Sequence, residues 1–275
     1  FKLPVIGILP SIGRDEEEGE DLSEEEKKKL YIVRRPRSAV AESCRTIRTN
    51  LMFMAPGRSL HTLLVTSAGP SEGKTSLAAN LAYTMASAGK RTLIVDTDMR
   101  RPRIHKLFKL DQRGRLTSAL IGECTYEQAI VPSGYPNLDL MPLGKVPPNP
   151  AELIESAVFT RMIEWAKSRY DRVILDSPPV MAVTDSSILA QFADGVVMVA
   201  RQDKTNRHML RQALRTLQTV NARLFGFVLN DVDLNAARKG YYAYRYRYRY
   251  SNYYYSYNYY QGYAEENTEE ESTLG

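Results

Sequence analysis

The segment of residues 61–82, HTLLVTSAGPSEGKTSLAANLA, constrains the fold of this chain more strongly than any other. Residues 63–66 are typical of a short buried strand, and residues 77–82 have the apolar spacing of a helix. Between them lies a loop of small and turn-forming residues that ends in Gly-Lys-Thr at 73–75. In this arrangement successive backbone N–H groups and a helix N-terminus face one point, which creates an anion site. The sequence therefore predicts a phosphate-binding loop.

Two side chains of this loop add to what its backbone provides. Lys74 directs a positive charge toward the β- and γ-phosphates of a nucleotide, and the Thr75 hydroxyl is suited to bind Mg²⁺. The loop departs from the usual G-x-x-x-x-G-K-[ST] pattern, because its first position is Ala68 and the glycine comes one residue later. A chance Gly-Lys-Thr is the alternative, but the strand and the helix lie on the correct sides of it. We predict nucleotide contacts from Ala68, Gly69, Pro70, Ser71, Glu72, Gly73, Lys74, Thr75 and Ser76.

Apolar, β-branched strands alternate with helical patterns along most of the chain. We predict strands at residues 3–9, 63–66, 91–99, 138–141, 172–176, 195–200 and 225–230. Helices are predicted at residues 38–54, 114–123, 151–167, 185–192 and 207–220, together with one from residue 73 that ends before Gly89. The alternation predicts an α/β fold of the P-loop NTPase type, with a mostly parallel central sheet and helices on both faces.

Polar side chains stand at the predicted carboxyl ends of several strands, where ligands bind in such sheets. Asp96 and Asp98 are two residues apart, so on a strand they point the same way, and like charges so close need a cation or a proton nearby. We assign Mg²⁺ to Thr75, Asp98 and Asp176, with Asp176 acting through a water, and we assign Asp96 as the base candidate. The sequence leaves open which of Asp96 and Asp98 has which role, and whether both merely cap the following turn. Asn230 is equally compatible with an adenine contact and with a turn cap.

Composition limits the classes of function. The net charge of +5 is too small to imply a nucleic-acid partner, and none is expected. Cys44 and Cys124 are far apart and predict no disulfide. No apolar run reaches the roughly 18 residues of a membrane span. Because the first residue is Phe1, we expect a piece of a longer polypeptide in which a membrane anchor can precede this part.

The composition also divides the chain into three regions. We predict an N-terminal strand with a charged linker at residues 1–36, a P-loop domain at 37–239 and a flexible tail at 240–275. The tail has almost no aliphatic residues with which to build a core, so we expect it to be disordered. It contains 13 of the 18 tyrosines, namely Tyr241, Tyr242, Tyr244, Tyr246, Tyr248, Tyr250, Tyr253, Tyr254, Tyr255, Tyr257, Tyr259, Tyr260 and Tyr263.

As a set, these motifs resemble those of the bacterial protein-tyrosine kinases (BY-kinases) that govern capsule and exopolysaccharide synthesis. The matching parts are the loop at residues 68–75, the D-x-D-x-R of residues 93–100, the strand ending in Asp176 and the C-terminal tyrosine cluster. The resemblance implies an enzyme that uses ATP and Mg²⁺ to phosphorylate its own tail tyrosines between subunits. Lys74, Asp96 and Asp98 are then the catalytic residues, and the tail tyrosines are the phosphoacceptors.

The resemblance also implies an assembly and a location. Glu42, Arg45 and Arg48 match an E-x-x-R-x-x-R motif that in the family lies at the subunit contact of a ring-shaped oligomer. From the residues alone, an ordinary solvated helix face is the alternative. The implied partners are other copies of the chain, a transmembrane co-polymerase or activator region, and a cognate tyrosine phosphatase. The implied location is the cytoplasmic face of the bacterial inner membrane.

Two other functions fit parts of the sequence. A Min/Par-type positioning ATPase would share the architecture, but its signature lysine five positions before Lys74 is replaced here by Gly69. A non-catalytic module could bind polyanions by stacking through the Tyr/Arg tail. The basic helix with Arg207, His208, Arg211 and Arg215 either contacts tail, partner or membrane surface, or is a plain solvated face.

Overall fold

The computed structural model describes residues 3–12, 30–54, 60–110 and 115–233. In this part of the chain eight strands form one sheet in the order β1-β8-β7-β2-β6-β3-β5-β4. Neighbouring strands are parallel throughout, except for the antiparallel pair β4 and β5. The strands are β1 (Val5–Pro10), β2 (Thr62–Ser67), β3 (Thr92–Asp96), β4 (Val131–Pro132), β5 (Leu138–Met141), β6 (Arg172–Asp176), β7 (Gly195–Arg201) and β8 (Leu224–Val232). The predicted mostly parallel sheet is confirmed.

Helices cover both faces of this sheet, as the sequence predicts. Successive side chains of a strand point to opposite faces, and Leu63 and Val65 of β2 pack into one apolar cluster while Leu64 packs into the other. The helices are α1 (Tyr31–Arg34), α2 (Ala39–Phe53), α3 (Lys74–Ser87), α4 (Ile104–Leu107), α5 (Leu116–Leu120), α6 (Tyr126–Ala129), α7 (Pro150–Glu155), α8 (Ala157–Arg169), α9 (Asp185–Leu189), which continues as a 3₁₀ turn (Ala190–Phe192), and α10 (Arg207–Thr219).

The N-terminal strand belongs to the main sheet. β1 pairs in parallel with β8, and the Asn50 side chain of α2 donates a hydrogen bond of 2.8 Å to the Ile6 carbonyl. Ile6 is buried against the same cluster as α2 and α3. The predicted boundaries at residues 36 and 239 stay predictions, and both the charged run that follows β1 and the tyrosine-rich tail lie outside the described residues.

Several elements differ from the sequence-based prediction for local reasons. The predicted helix 151–167 is two helices, because Ser156 adopts an extended backbone and its hydroxyl accepts the Phe159 N–H as an N-cap. The predicted strand 91–99 ends at Asp96, so Asp98 lies in the following loop. The short elements α1, α4, α6 and β4 were not predicted, since two to four residues carry too little periodicity.

None of the described helices is long and apolar enough to cross a lipid bilayer.

Gly226 gives a test of the contact between β1 and β8. Its φ of +148° suits glycine, and a Cβ there would lie 2.3 Å from the Pro4 carbonyl oxygen. We expect Gly226→Ala to lower the free energy of unfolding in urea by about 3 kcal/mol, because the added methyl forces the strands apart. Gly89→Ala is the matched control, since φ is also positive (+80°) but nothing lies within 4 Å of the added Cβ. It should cost about 1 kcal/mol, and equal losses in the two variants would contradict this account.

Candidate functional site

The site forms where several parallel strands end on the same edge of the sheet. The loop that follows β2 contains Lys74, and α3 begins at that residue. Asp96 at the end of β3 is the register partner of Asp176 at the end of β6, and Val65 of β2 is the other partner of Asp176. The convergence of Lys74 and the carboxylates that the sequence predicts is therefore present in the fold.

The backbone of the loop adopts conformations that few residues tolerate. Gly73 has φ +96° as the N-cap of α3, and Ser71 has φ +58°. A Cβ at Gly73 would lie 2.0 Å from the Asn230 amide nitrogen. The same nitrogen donates a hydrogen bond of 2.9 Å to the Glu72 carbonyl. Asn230 thus holds the loop from β8, which is neither of the two contacts considered from the sequence, and its contact with adenine stays a prediction.

Glu72 supports the loop from inside. Its side chain is buried, and one carboxylate oxygen accepts the Ala68 N–H at 3.2 Å. Burial raises the pKa of Glu72 above its usual value, although the Thr205 hydroxyl and the N–H groups of Gly69 and Ala68 oppose the rise. The Ser67 hydroxyl donates to the Gly69 carbonyl at 2.7 Å. Glu72 is therefore one of the residues that shape the phosphate-binding loop.

Lys74 is paired with Asp98 in this structure. Its Nζ atom lies 2.8 Å from Asp98 Oδ2, and both side chains are almost completely buried. Burial alone would lower the pKa of Lys74, but the negative charges of Asp176, Asp98 and Asp96 outweigh it and raise the pKa. Lys74 is therefore charged, and its ammonium group is bound to the Asp98 carboxylate.

Asp98 and Asp96 each use one carboxylate oxygen to fix the turn after β3. Asp98 Oδ1 accepts the Arg101 N–H at 3.0 Å, and Asp96 Oδ2 accepts the N–H groups of Arg103 and Ile104, both at 3.0 Å. Capping of this turn, which the sequence left open as the structural alternative, is therefore real. It does not exclude a role in the site, because the second oxygen of Asp98 binds Lys74 and that of Asp96 is left free.

The expectation that Asp96 and Asp98 point the same way along one strand is wrong in its premise. The strand ends at Asp96, and Asp98 reaches Lys74 from the loop instead. Thr97 still bonds to the neighbouring strand, with its N–H and its hydroxyl both donating to the Asp176 carbonyl at 2.9 and 2.7 Å. The chain turns after Thr97, where Asp98 Oδ1 accepts the Arg101 N–H. The two carboxylates still lie near Lys74, one at the end of β3 and the other in the loop that follows it.

Three buried carboxylate oxygens have no hydrogen-bond partner among the described residues. They are Oδ1 of Asp96 and both oxygens of Asp176. The Thr75 hydroxyl is close enough to lower the pKa of Asp176, but neither Asp176 oxygen accepts a hydrogen bond of proper distance and angle. Buried carboxylates without partners are costly in their charged form, so their presence points to a cation that this site is shaped to take.

The pKa values of Asp96 and Asp176 reflect the same crowding. Burial is the main cause that raises both pKa values above the usual value of an aspartate, and the Asp176 charge adds to the rise at Asp96. At Asp176 the positive charge of Lys74 opposes the rise. A cation beside these two groups would relieve both effects, because it favours the charged form of each carboxylate.

The donor set fits Mg²⁺ bound together with a nucleotide. No group of three or more His, Cys, Asp or Glu side chains in the described ranges is arranged to hold a metal by itself. Mg²⁺ in nucleotide sites is bound by one or two protein oxygens, with phosphates and water completing its octahedron. Thr75, Asp176 and Asp98 or Asp96 supply such oxygens, so the residues present are compatible with the predicted ion. The individual roles of Asp96 and Asp98 stay a prediction.

Two cationic side chains beside the loop escaped the sequence analysis. Arg201 ends β7, and its guanidinium donates to the Ser71 carbonyl at 3.3 Å and pairs with Asp231. The Lys204 ammonium lies 3.4 Å from the same carbonyl. The position of Arg201 at a strand end was the available signal, since the same rule found Asp96, Asp176 and Asn230.

The residues of the predicted subunit contact lie on α2. Arg45 Nε pairs with Glu42 at 2.7 Å and a second Arg45 nitrogen donates to the Pro36 carbonyl at 3.0 Å, whereas Arg48 donates to the Thr84 carbonyl of α3 at 3.1 Å. The contact with a second subunit stays a prediction, as does its alternative of a solvated face. On α10, Arg207, His208, Arg211 and Arg215 are exposed, and the apolar side of the helix is buried against the sheet.

Comparison with known proteins gives one consistent picture. Residues 68–229 match the model of a family described as an AAA domain. The tyrosine-protein kinase YwqD of Bacillus subtilis (strain 168) is 39% identical over 214 residues, which is 78% of this chain and 90% of that protein. The putative tyrosine-protein kinase CapB of Staphylococcus aureus is 35% identical over 215 residues, covering 78% of this chain and 94% of CapB. The solved kinase domain of the Escherichia coli tyrosine kinase ETK is 27% identical, with a TM-score of 0.78 over 85% of this chain and 92% of that one.

More distant structures share the fold alone. The septum site-determining protein MinD of Pyrococcus horikoshii OT3, solved with Mg-ADP, is 21% identical with a TM-score of 0.53, over 65% of this chain and 76% of MinD. The P-loop NTPase fold is therefore shared with MinD, a protein of the Min/Par type that the sequence analysis considered as an alternative. The higher identities belong to the tyrosine kinases.

The raised pKa of Asp96 predicts a specific pH dependence of stability. Between about pH 4, where an unfolded aspartate ionises, and the raised pKa of the folded state, the folded protein holds a proton that the unfolded chain releases. Stability therefore falls as pH rises through this window and stays lost above it. We expect Asp96→Asn to remove this loss. The unfolding free energy of the variant in urea, minus that of the wild type, should therefore increase as pH rises from about 4 to about 8.

The measurement uses nucleotide-free protein without Mg²⁺ at several pH values. Asp203→Asn, on an exposed loop, is the control and should follow the wild type at every pH. A difference between Asp96→Asn and the wild type that does not change with pH would contradict the assignment of a raised pKa to Asp96.

Proposed function

This chain belongs to the family of bacterial tyrosine-protein kinases, and we propose that it transfers the γ-phosphoryl group of ATP to tyrosines of its own C-terminal tail. The observation that carries the proposal is the buried cluster at the mouth of the phosphate-binding loop. Lys74 lies there beside Asp98, and the free carboxylate oxygens of Asp96 and Asp176 are next to it. Such a cluster suits phosphoryl transfer, in which catalysis consists mainly of positioning and charge stabilisation.

Each residue of the cluster has a task in the proposed reaction. The backbone N–H groups of Gly69 and of residues 71–76 bind the phosphates, while Pro70 has no N–H to donate. Lys74 leaves Asp98 to contact the β- and γ-phosphates. Thr75, Asp98 and Asp176 would hold Mg²⁺, which supplies positive charge to the oxygens of the transferred group. Asp96 orients the acceptor hydroxyl through its free Oδ1 atom. This division of tasks follows the sequence-based assignment and rests on the donors that the fold brings together.

The raised pKa of Asp96 supports its role toward a tyrosine. An ordinary aspartate with a pKa of about 4 is a poor base for a tyrosine hydroxyl with a pKa of about 10. Burial and the Asp176 charge raise the pKa of Asp96 and so narrow this gap, whereas a bound Mg²⁺ acts in the opposite direction. Since the transition state is loose and requires little early deprotonation, orientation of the hydroxyl is the larger contribution.

The proposed acceptors are the tail tyrosines of a neighbouring subunit. Thirteen of the 18 tyrosines lie in residues 241–263, outside the described part of the chain. A tail of about 35 residues at roughly 3.3 Å each can reach on the order of 100 Å, enough for the site of an adjacent copy. Glu42, Arg45 and Arg48 would form the contact between copies, as the family motif implies. Each phosphate adds a charge of about −1.5 to −2, so about three would cancel the net charge of +5.

The setting that we propose follows from the family resemblance. The kinase would act at the cytoplasmic face of the bacterial inner membrane, with a transmembrane co-polymerase or activator as its partner. A cognate tyrosine phosphatase would reverse the modification, and the cycle would regulate synthesis and export of exopolysaccharide or capsule. Repulsion between phosphorylated tails would open the oligomer, because like charges then accumulate on adjacent copies.

The phosphate-binding lysine gives the primary test of this function. Incubated with γ-labelled ATP and Mg²⁺, the wild type should label its own tyrosines, and Lys74→Met should reduce the labelling at least about a hundredfold, since it removes the charge on the transferred phosphate. Lys90→Met makes the same substitution just after the other end of α3, at an exposed position, and should label like the wild type. Release of phosphate without labelled tyrosine would instead support a positioning ATPase, and neither product would support a binding module.

Transfer between subunits is tested by mixing two inactive or incomplete chains. Full-length Lys74→Met provides a tail without a working site, and residues 1–239 provide a working site without the tail. Incubated alone, neither chain should become labelled on tail tyrosines. In the mixture, the tail of the full-length variant should become labelled. Mass spectrometry of the tail identifies the modified tyrosines. An unlabelled mixture, with an active wild type in parallel, would contradict transfer in trans.

A further inference from the structure

Apart from the Thr97 hydrogen bonds to the Asp176 carbonyl, two side-chain ion pairs attach the loop that contains Asp98 to the rest of the site. One is the ion pair between Lys74 and Asp98. The other involves Arg100, whose Nε and Nη2 atoms donate to the two carboxylate oxygens of Asp185 at 2.9 and 3.0 Å. This two-pronged geometry is the strong form of an arginine–carboxylate pair, because both bonds are charge-assisted and their direction is fixed.

Asp185 is held in place by the interior of the protein. Its side chain is 0% exposed and lies in the first turn of α9, whereas Arg100 is 43% exposed. The next residue, Ser186, donates from its hydroxyl to the Pro178 carbonyl and contacts the Ser177 hydroxyl at 3.2 Å. The Thr66 hydroxyl of β2 donates to the same carbonyl at 2.9 Å. The start of α9 is thus fastened to the two residues that directly follow Asp176.

The segment after Asp176 is in turn bonded to the start of the phosphate-binding loop. The N–H of Ser177 donates to the Val65 carbonyl at 3.2 Å, that of Val180 to the Ser67 carbonyl at 2.9 Å, and that of Met181 to the Ala68 carbonyl at 3.3 Å. The contacts therefore form a closed ring. It runs from the phosphate-binding loop through residues 177–181 to Asp185, across to Arg100 and Asp98, and back to the loop through Lys74.

Binding of a triphosphate would open this ring at one point, the ion pair between Lys74 and Asp98. Lys74 has to turn its ammonium group toward the phosphates, which compete with Asp98 for the same charge. The Asp98 carboxylate would then lose its partner and be available as a ligand for Mg²⁺. The Arg100–Asp185 pair does not involve Lys74, so it continues to connect the Asp98 loop to the segment beside the phosphates.

We propose that Arg100 and Asp185 are a positioning pair that keeps Asp98 beside the phosphate-binding loop after Lys74 has moved to the nucleotide. Neither residue needs to touch the substrate. The inference rests on the proposed function, because it assigns a role within the same site. It predicts that loss of the pair weakens the contribution of Mg²⁺, while the backbone of the phosphate-binding loop continues to bind nucleotide.

Two mild substitutions separate this role from simple stabilisation of the fold. Asp185→Asn keeps the shape of a fully buried side chain and removes its charge, which leaves the half-exposed Arg100 free to be solvated. Arg100→Lys keeps the charge but cannot form both bonds, since a lysine ammonium lacks the planar fork of a guanidinium. Arg100→Ala is less informative, because it strands a buried carboxylate without a partner.

A matched control exists at the other end of the strands, where β2 begins. The Asp194 carboxylate accepts the N–H groups of His61 and Thr62 there, at 2.8 and 2.7 Å. Asp194→Asn therefore disturbs a carboxylate that supports β2, the strand that precedes the phosphate-binding loop, but at the end of that strand away from the loop. Thermal unfolding of all variants gives the loss of stability against which the functional effects are compared.

The first measurement is binding of a fluorescent ADP analogue to the full chain, with and without Mg²⁺. We expect Asp185→Asn and Arg100→Lys to bind within about twofold of the wild type without Mg²⁺, and to lose about fivefold or more of the tightening that Mg²⁺ brings. The second is the rate of autophosphorylation over a range of ATP concentrations up to saturation. There kcat should fall about ten- to a hundredfold with little change in KM, because the groups are present but misplaced. The double variant should show the same loss of kcat and of Mg²⁺ response as either single variant, because both substitutions remove the same interaction.

Each outcome decides the question. If both variants keep the wild-type response to Mg²⁺ and a kcat within about twofold, or if Asp194→Asn shows the same losses, the pair is only structural and the inference is wrong. If Asp185→Asn does not fold, Arg100→Lys at its half-exposed position decides alone. An inactive wild type would refute the proposed function, whereas the Mg²⁺ response of ADP binding would still test the positioning pair.

Discussion

The burial of three carboxylates and one lysine at one edge of the sheet is the constraint on which the rest of this site depends. Asp96 and Asp176 face each other across neighbouring strands away from water, and Lys74 is the positive charge among them. The arrangement is tolerable because Lys74 pairs with Asp98 and because backbone N–H groups hold one oxygen of Asp96. The remaining free carboxylate oxygens favour binding of a cation, and a cation bound there favours a polyphosphate beside it.

Further hydrogen bonds connect the parts of the site to one another. The Asp176 carbonyl accepts two hydrogen bonds from Thr97, Asn230 of β8 holds the phosphate-binding loop at Glu72, and the Glu72 carboxylate braces the same loop at Ala68. Preorganised groups need little rearrangement at the moment of reaction, which is the main source of electrostatic catalysis. The fold itself is shared with MinD, so the acceptor chemistry must come from these local residues and not from the architecture.

Sequence reasoning found the parts of the site that follow from strand order. Asp96, Asp176 and the loop around Lys74 were placed correctly at one edge, because parallel strands with crossover helices bring their carboxyl ends together. Asp98 was also correctly expected beside Lys74, but its placement on the strand was wrong, because the strand ends at Asp96. The break at Ser156 was missed, because an N-cap interrupts an apolar pattern that looks continuous. The contacts of Asn230 and the pairing of Arg100 with Asp185 join residues 158 and 85 positions apart, and no local pattern encodes such pairs.

A crystal structure of the full chain with Mg²⁺ and a non-hydrolysable ATP analogue tests the central claim most directly. The account predicts that Lys74 leaves Asp98 for the β- and γ-phosphates, and that Mg²⁺ lies about 2.1 Å from the Thr75 hydroxyl, with carboxylates of the cluster as direct or water-mediated ligands. Asp98 should remain beside the phosphate-binding loop. A triphosphate bound elsewhere, or a metal with no contact to Thr75 or to Asp96, Asp98 and Asp176, would contradict it.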